Sequence, residues 1–399
     1  MTDLATRWNV DESRFWLHGR APQEIVRFDE PTGLWNIHGH AEVLAILEDP
    51  ATFSSNTARV YAADTEVDFG DAFVGNPAQM DPPFHGKLRK LVSRAFTPRT
   101  VADLEPRIAA LTHELLDDVA GRDRVEIVSA LAYPLPVIVI AELLGVPAED
   151  RNLFKGWVDK IYDSEQQVSL KPTEEQKREL QEALALSKKL QDYLHDRAEE
   201  RRRAPREDLL TKLVEAEVDG QRLSPTEVAN FGTTLLFGGH VTTTMLLGNT
   251  LLCLDAEPDA EARVRADRSL LPKVIEESLR YLSPFSSLYR VTTTEVEIGG
   301  HRIPKDKVVA VRLGAANRDE RVFERPHTFD PARATNPHLG FGRGIHFCVG
   351  APLARLEGRI VLDILLDRFP ALRADPDNPP TFLPSADLTG VKTLTLLNH

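Results

Sequence analysis

Phe341-Gly-Arg-Gly-Ile-His-Phe-Cys-Val-Gly350 carries one of the two cysteines in a chain of 399 residues. Its glycines, Gly342, Gly344 and Gly350, allow backbone angles that other residues avoid and let main-chain N–H groups close on a single atom. Cys348 stands just before a predicted helix that runs from about Pro352 to Phe369, with the proline in its first turn. The sulfur is expected to feel the positive end of that helix, which favours thiolate over thiol. The other cysteine, Cys253, falls late in a long apolar helix and is most simply a core residue. Neither cysteine lies in a C-x-x-C arrangement, so a disulfide framework is excluded.

Upstream, Glu277-Ser-Leu-Arg280 sets an acid and a base three apart on a helix from about Leu271 to Leu282, which stops before Pro284. Strand character follows at Ser286 to Thr293, Val296 to Ile298 and Lys307 to Val311, then a loop from Arg318 to Leu339 leads back to the cysteine. Ser224-Pro-Thr-Glu227 is a helix start, since serine can cap, proline fits the first turn and glutamate can bond back. The apolar pattern after it is unbroken to about Asp255, a helix of about 45 Å. Midway along it, Gly238-Gly-His-Val-Thr242-Thr-Thr is a run of poor helix formers, so local propensity is being overridden there. Earlier, Gly33 to Ile37 reads as a strand and Ala41 to Glu48 as a helix. Residues 101–220 are mostly helical, with Leu104, Ile108, Leu111 and Leu115 as one apolar stripe. Thr173 to Arg203 reads as polar surface helices with i,i+4 pairs. The tail from Thr381 to Leu397 reads as strands.

Composition narrows the classes. A net charge of −13 argues against a broad nucleic-acid or anionic-lipid surface, which needs clustered Lys and Arg. No apolar run reaches the roughly 18 residues of a membrane span, and the charged, aromatic start is unlike a secretory signal. A cytoplasmic location, no nucleic-acid partner and no membrane partner are the expectations. There is no internal repeat and no Pro/Gly/Ser linker.

A thiolate can ligate iron and promote O–O cleavage of bound dioxygen, and the quoted stretch matches the F-G-x-G-x-H-x-C-x-G loop of the cytochrome P-450 superfamily at every fixed position. The chain resembles a soluble bacterial member from Trp35 through the terminal strands. The resemblance implies a mainly α fold with a smaller β region, a single large domain over residues 1–399 enclosing a haem. Its helix-rich core would span about 80–283 and 340–370, and its strand-rich parts about 25–60, 284–312 and 371–399. Cys348 would be the axial iron ligand, with Phe341 packed near the sulfur. His346, His85, Arg89 and Arg290 would partner the haem propionates. Two of these, His85 and Arg89, come from Asp81-Pro-Pro-Phe-His-Gly-Lys-Leu-Arg89, which resembles the family's helix on the cysteine side of the haem. Glu277 and Arg280 match its E-x-x-R and would lock the core without doing chemistry. Gly238 and Gly239 would form the oxygen-binding kink, with Thr242 as its alcohol; Val241 departs from the pattern, because an acid usually precedes that threonine.

The implied activity is haem-thiolate monooxygenation, one atom of dioxygen entering an organic substrate by hydroxylation or epoxidation. The implied cofactor is haem b, with electrons from NAD(P)H through a ferredoxin and its reductase, because no flavin or nicotinamide motif is present. By analogy the substrate is a bacterial natural product, such as a polyketide, macrolide or peptide, acted on by a monomer. Val241 keeps open oxidative coupling, desaturation or a peroxygenase reaction; a non-catalytic haem carrier or sensor is a further alternative. Pocket walls are expected from 56–75, 159–181 and the face of Leu235 and Gly238, and from Phe285, Leu288 and Leu388. Lys87, Lys90, Arg94 and Arg99 form a basic cluster that could dock an acidic ferredoxin.

Overall fold

The computed structural model describes residues 4–398 apart from 66, 68, 151–155, 157–167 and 219. Pro225–Ala256 runs through the middle as one helix. Its start is a capping box: the Ser224 hydroxyl accepts from the Glu227 N–H at 3.2 Å, and the Glu227 carboxylate accepts from the Ser224 N–H at 2.8 Å. The helix is buried for most of its length against Glu174–Arg203, Pro134–Leu144, Leu271–Tyr281 and Ala351–Arg368. One apolar cluster joins all of these helices.

The polar stretch expected to form several surface helices is a single 30-residue helix, Glu174–Arg203, capped by Thr173 and Gln176. Four of its five ion pairs between residues three or four apart are at i,i+3, and only Lys188–Asp192 is at i,i+4. In Glu105–Asp117, Ile108 and Leu111 are buried as the stripe requires, but Leu115 is only partly buried and Leu116 takes its place.

The β region lies to one side. Five strands follow the order Val26–Asp29, Leu34–Ile37, Val308–Val311, Leu288–Thr292 and Phe53–Ser54. Leu288–Thr292 pairs antiparallel with Val308–Val311 on one side and with Phe53–Ser54 on the other, so the strand carrying Arg290 is fixed on both edges. Arg124–Glu126 is a strand inside a stretch read as mostly helical. It has three residues and exists because Thr395–Leu397 pairs with it from the far end of the chain. Among the described residues no helix is long and apolar enough to cross a membrane.

Candidate active site

A cavity of about 300 Å³ opens between the middle of the long helix, the cysteine loop, helix Phe84–Ala95 and strand Leu288–Thr292. Cys348, Phe341, Leu235, Gly238, Thr242, Phe285 and Leu288 all line it, as do His85, Arg89, Arg290 and His346. Residues chosen from four separate stretches of sequence thus meet around one space. Leu388 does not line it. It bridges to Phe285 and packs with Val241, Met245 and Leu383, so Phe285 forms the wall and Leu388 backs it. Of the expected wall segments, 159–167 lies outside the described residues. The described residues of 56–75 and 168–181 do not line the cavity, whose wall near them in sequence is Pro77 and Ala78.

The cysteine loop is held by its own backbone. The Cys348 N–H donates to the Phe341 carbonyl at 3.0 Å, and Gly342 and Gly344 take left-handed angles, φ +69° and +67°. A Cβ at Gly344 would stand 2.5 Å from the Leu47 carbonyl, so only glycine fits. The Ala351 N–H donates to the Cys348 carbonyl at 3.5 Å, and the nearby Gly350 and Ala351 amides and the Arg89 and Arg355 charges favour the thiolate. Burial outweighs them and raises the Cys348 thiol above its ordinary value. Phe341 lies under the Arg355 guanidinium, 4.6 Å from it, and Arg355 is paired with Glu276 at 2.6 Å.

Beside the sulfur is a cluster of bases. The His85 and His346 rings are 4.3 Å apart. His346 Nε2 meets the Ser55 hydroxyl at 2.9 Å. Arg89 donates to the Phe347 carbonyl and Arg290 to the Tyr289 carbonyl, each at 2.7 Å. Burial, then the Arg290 charge, pushes His346 down to about 3. Burial, then Arg89, lowers His85, and burial brings Arg290 down to about 10. Asp81 is the one carboxylate acting on Arg290, and it already accepts from the Ser55 N–H at 2.8 Å. His85 Nε2 is buried with no hydrogen-bond partner. A buried donor left unmade is costly, and two guanidiniums beside two neutral imidazoles suit a doubly anionic group entering the cavity. The residues present fit a haem whose propionates reach this cluster.

On the facing wall the Thr242 hydroxyl donates to the Gly238 carbonyl. The two glycines differ. A Cβ at Gly239 would stand 3.3 Å from Ile140 of Pro134–Leu144, whereas one at Gly238 would meet nothing and project into open space. Val241 is buried in the apolar cluster behind the wall. His240 is fully buried with its ring edge-on to Tyr133, 4.4 Å away, and so turns away from the cavity.

Glu277 and Arg280 form a buried two-pronged ion pair at 2.7 and 2.9 Å. Arg280 also donates to the carbonyls of Asn317, Pro326 and Thr328. Glu277 accepts from the Asp330 N–H at 2.9 Å and faces Arg333 at 3.4 Å. Sequence reasoning missed Ser55, Asp81, Arg355 and Arg333. Asp81 opens a stretch already singled out and Arg355 lies one turn into the cysteine helix, so both carried a signal; Arg333, in a loop without periodicity, carried none.

The chain belongs to the cytochrome P450 family, which it matches over residues 30–395, and it is therefore a haem-iron monooxygenase that uses dioxygen. It is 43% identical to the cyclomarin C epoxidase CymV of Salinispora arenicola, covering 89% of this chain and 88% of that one. It is also 43% identical to the erythromycin C-12 hydroxylase of Saccharopolyspora erythraea, covering 87% and 84%. The solved structure of HmtN, a post-tailoring hydroxylase of himastatin biosynthesis, is 52% identical and superposes with a TM-score of 0.88 over all of both chains.

Proposed function

We propose that this monooxygenase oxidises a bulky, largely apolar natural product, with Cys348 as the iron ligand and His85, Arg89, Arg290 and His346 holding the propionates of a haem b. The observation that carries the site assignment is the orphaned His85 Nε2 within a cluster of bases, on the same cavity as the Cys348 sulfur. When bound, the haem supplies activation of dioxygen by two electrons, one oxygen atom entering the substrate and the other leaving as water. The nearby Gly350 and Ala351 amides favour the thiolate once its proton has left. Leu235, Phe285 and Leu288 exclude water, and bare Gly238 leaves room for a wide substrate to approach. Thr242 holds a proton at Oγ1 on the facing wall.

Relatives whose names place them on cyclomarin and erythromycin support a natural product, a macrolide or a peptide, as the substrate. Electrons come from NAD(P)H through a ferredoxin and its reductase, and Lys87, Lys90 and Arg99, which have no ion-pair partner among the described residues, offer positive charge for docking. Cys348→Ala tests the ligand assignment. It should abolish the displaced Soret band of the reduced carbon-monoxide complex, and a variant that kept the band would refute the assignment. Product analysis under labelled dioxygen separates insertion from coupling or desaturation, which leave no label.

A further inference from the structure

Asn230 lies on the long helix two turns before Gly238 and is only 3% exposed. Asparagine is a poor choice inside a helix because its side chain competes for backbone groups. Here the competition is directed outward: its amide donates to the carbonyls of Asp71 at 2.9 Å and of Val74 at 2.6 Å. Two more contacts hold the same loop. Gln191 donates to the Ala72 carbonyl at 3.4 Å. Gly75, at φ +75°, comes so near the helix that a Cβ there would stand 2.7 Å from the Glu227 Cα.

The chain that leaves this loop becomes the cavity wall. Asn76 caps the turn Pro77–Gln79 by accepting from the Ala78 N–H at 3.0 Å. Pro77 and Ala78 line the cavity, and Gln79 is tied to Thr57 at 2.9 Å. Beside the held loop a second, more polar cavity of about 310 Å³ lies between Phe69–Ala72 and the two long helices, so there is space next to the loop in its present position.

We propose that Asn230 is a positioning residue that, by holding 71–75, keeps the Pro77–Ala78 wall that follows closed on the substrate cavity and thereby sets how fast large molecules enter and leave it, without touching them. The inference rests on the cavity being the substrate site. Holoenzyme variants Asn230→Ala and Gly75→Ala release the loop from opposite partners. Each should raise the association and dissociation rates of clotrimazole, a bulky azole, on the order of tenfold, the effect of losing one or two hydrogen bonds. Imidazole, which is small, should keep its rates within about twofold, since iron access for a small ligand needs little opening. The carbon-monoxide band should be unchanged, and amide exchange at 71–76 should quicken. The double variant should exceed neither single one by much, because both free the same segment. Parental clotrimazole rates in both variants, with the carbon-monoxide band intact, would overturn the role of Asn230. A parent that loads haem but gives no spectral shift with either azole would instead overturn the cavity reading, and this inference with it.

Discussion

His85 and His346 stand ring to ring, 4.3 Å between centres, and the buried His85 Nε2 has no hydrogen-bond partner among the described residues. Arg290→Ala and His85→Ala should each loosen haem by about 1.5–3 kcal/mol, roughly 10- to 150-fold, as expected for a charge-assisted hydrogen bond lost. Arg290→Lys should keep part of the binding. Haem transfer to apomyoglobin measures it, and parental transfer rates in both alanine variants would remove the propionates from this cluster.

Thr242 donates to the Gly238 carbonyl one turn back, and its neighbour Val241 can neither give nor take a proton. Thr242→Ala should raise hydrogen peroxide release relative to product by about tenfold or more, while Thr242→Ser stays near the parent. Unchanged coupling in the alanine variant would mean that protons arrive by another route. Val241→Glu should not act as a simple restoration. It places a carboxylate among Met245, Leu383 and Leu388 and should cost about 2–4 kcal/mol of stability, read as a lowered Tm.

Glu357, in the cysteine helix, is fully buried, has an unpartnered Oε2 and is pushed up to about 8 by burial. Because its folded-state value lies above that of the unfolded chain, the neutral acid contributes stability that is complete below about pH 4.5 and lost as pH rises through about 8. This group should therefore lower the Tm progressively between about pH 4.5 and 8, and Glu357→Gln should flatten that fall. Parallel curves for the two proteins would contradict it.

Lys87, Lys90 and Arg99 have no ion-pair partner among the described residues; the side chain of Arg94 lies outside them. On a chain of net charge −13, this patch should steer an acidic ferredoxin, so reduction should slow as salt rises from about 0.05 to 0.5 M. Lys90→Glu should slow it at low salt. A rate indifferent to both changes would place docking elsewhere.

The long helix was legible almost to the residue, because Ser224-Pro-Thr-Glu227 states its start and Glu257-Pro258 its end in local chemistry. The cysteine loop was legible because glycine spacing around one sulfur has few other uses. What escaped was set by distant partners. Strand Arg124–Glu126 depends on the far end of the chain, and Ser55 and Asp81 matter only because the fold brings Ser55 to His346 and Asp81 to Ser55 and Arg290. Leu388 was placed one layer too close to the cavity, since its bridge to Phe285 is a tertiary fact that no spacing encodes.

Glu277 and Arg280 hold the irregular segment that starts at Asn317, and Asn317 in turn accepts from the Leu339 N–H at 2.8 Å, just before the cysteine loop begins. An error in that pair is therefore relayed along one covalent thread to the sulfur. The optical spectrum of the cofactor then becomes a gauge of an ion pair that never touches it. Variants with an intact cysteine but a faulty lock will look like ligand mutants in the spectrometer, and only their tertiary stability will tell the two kinds apart.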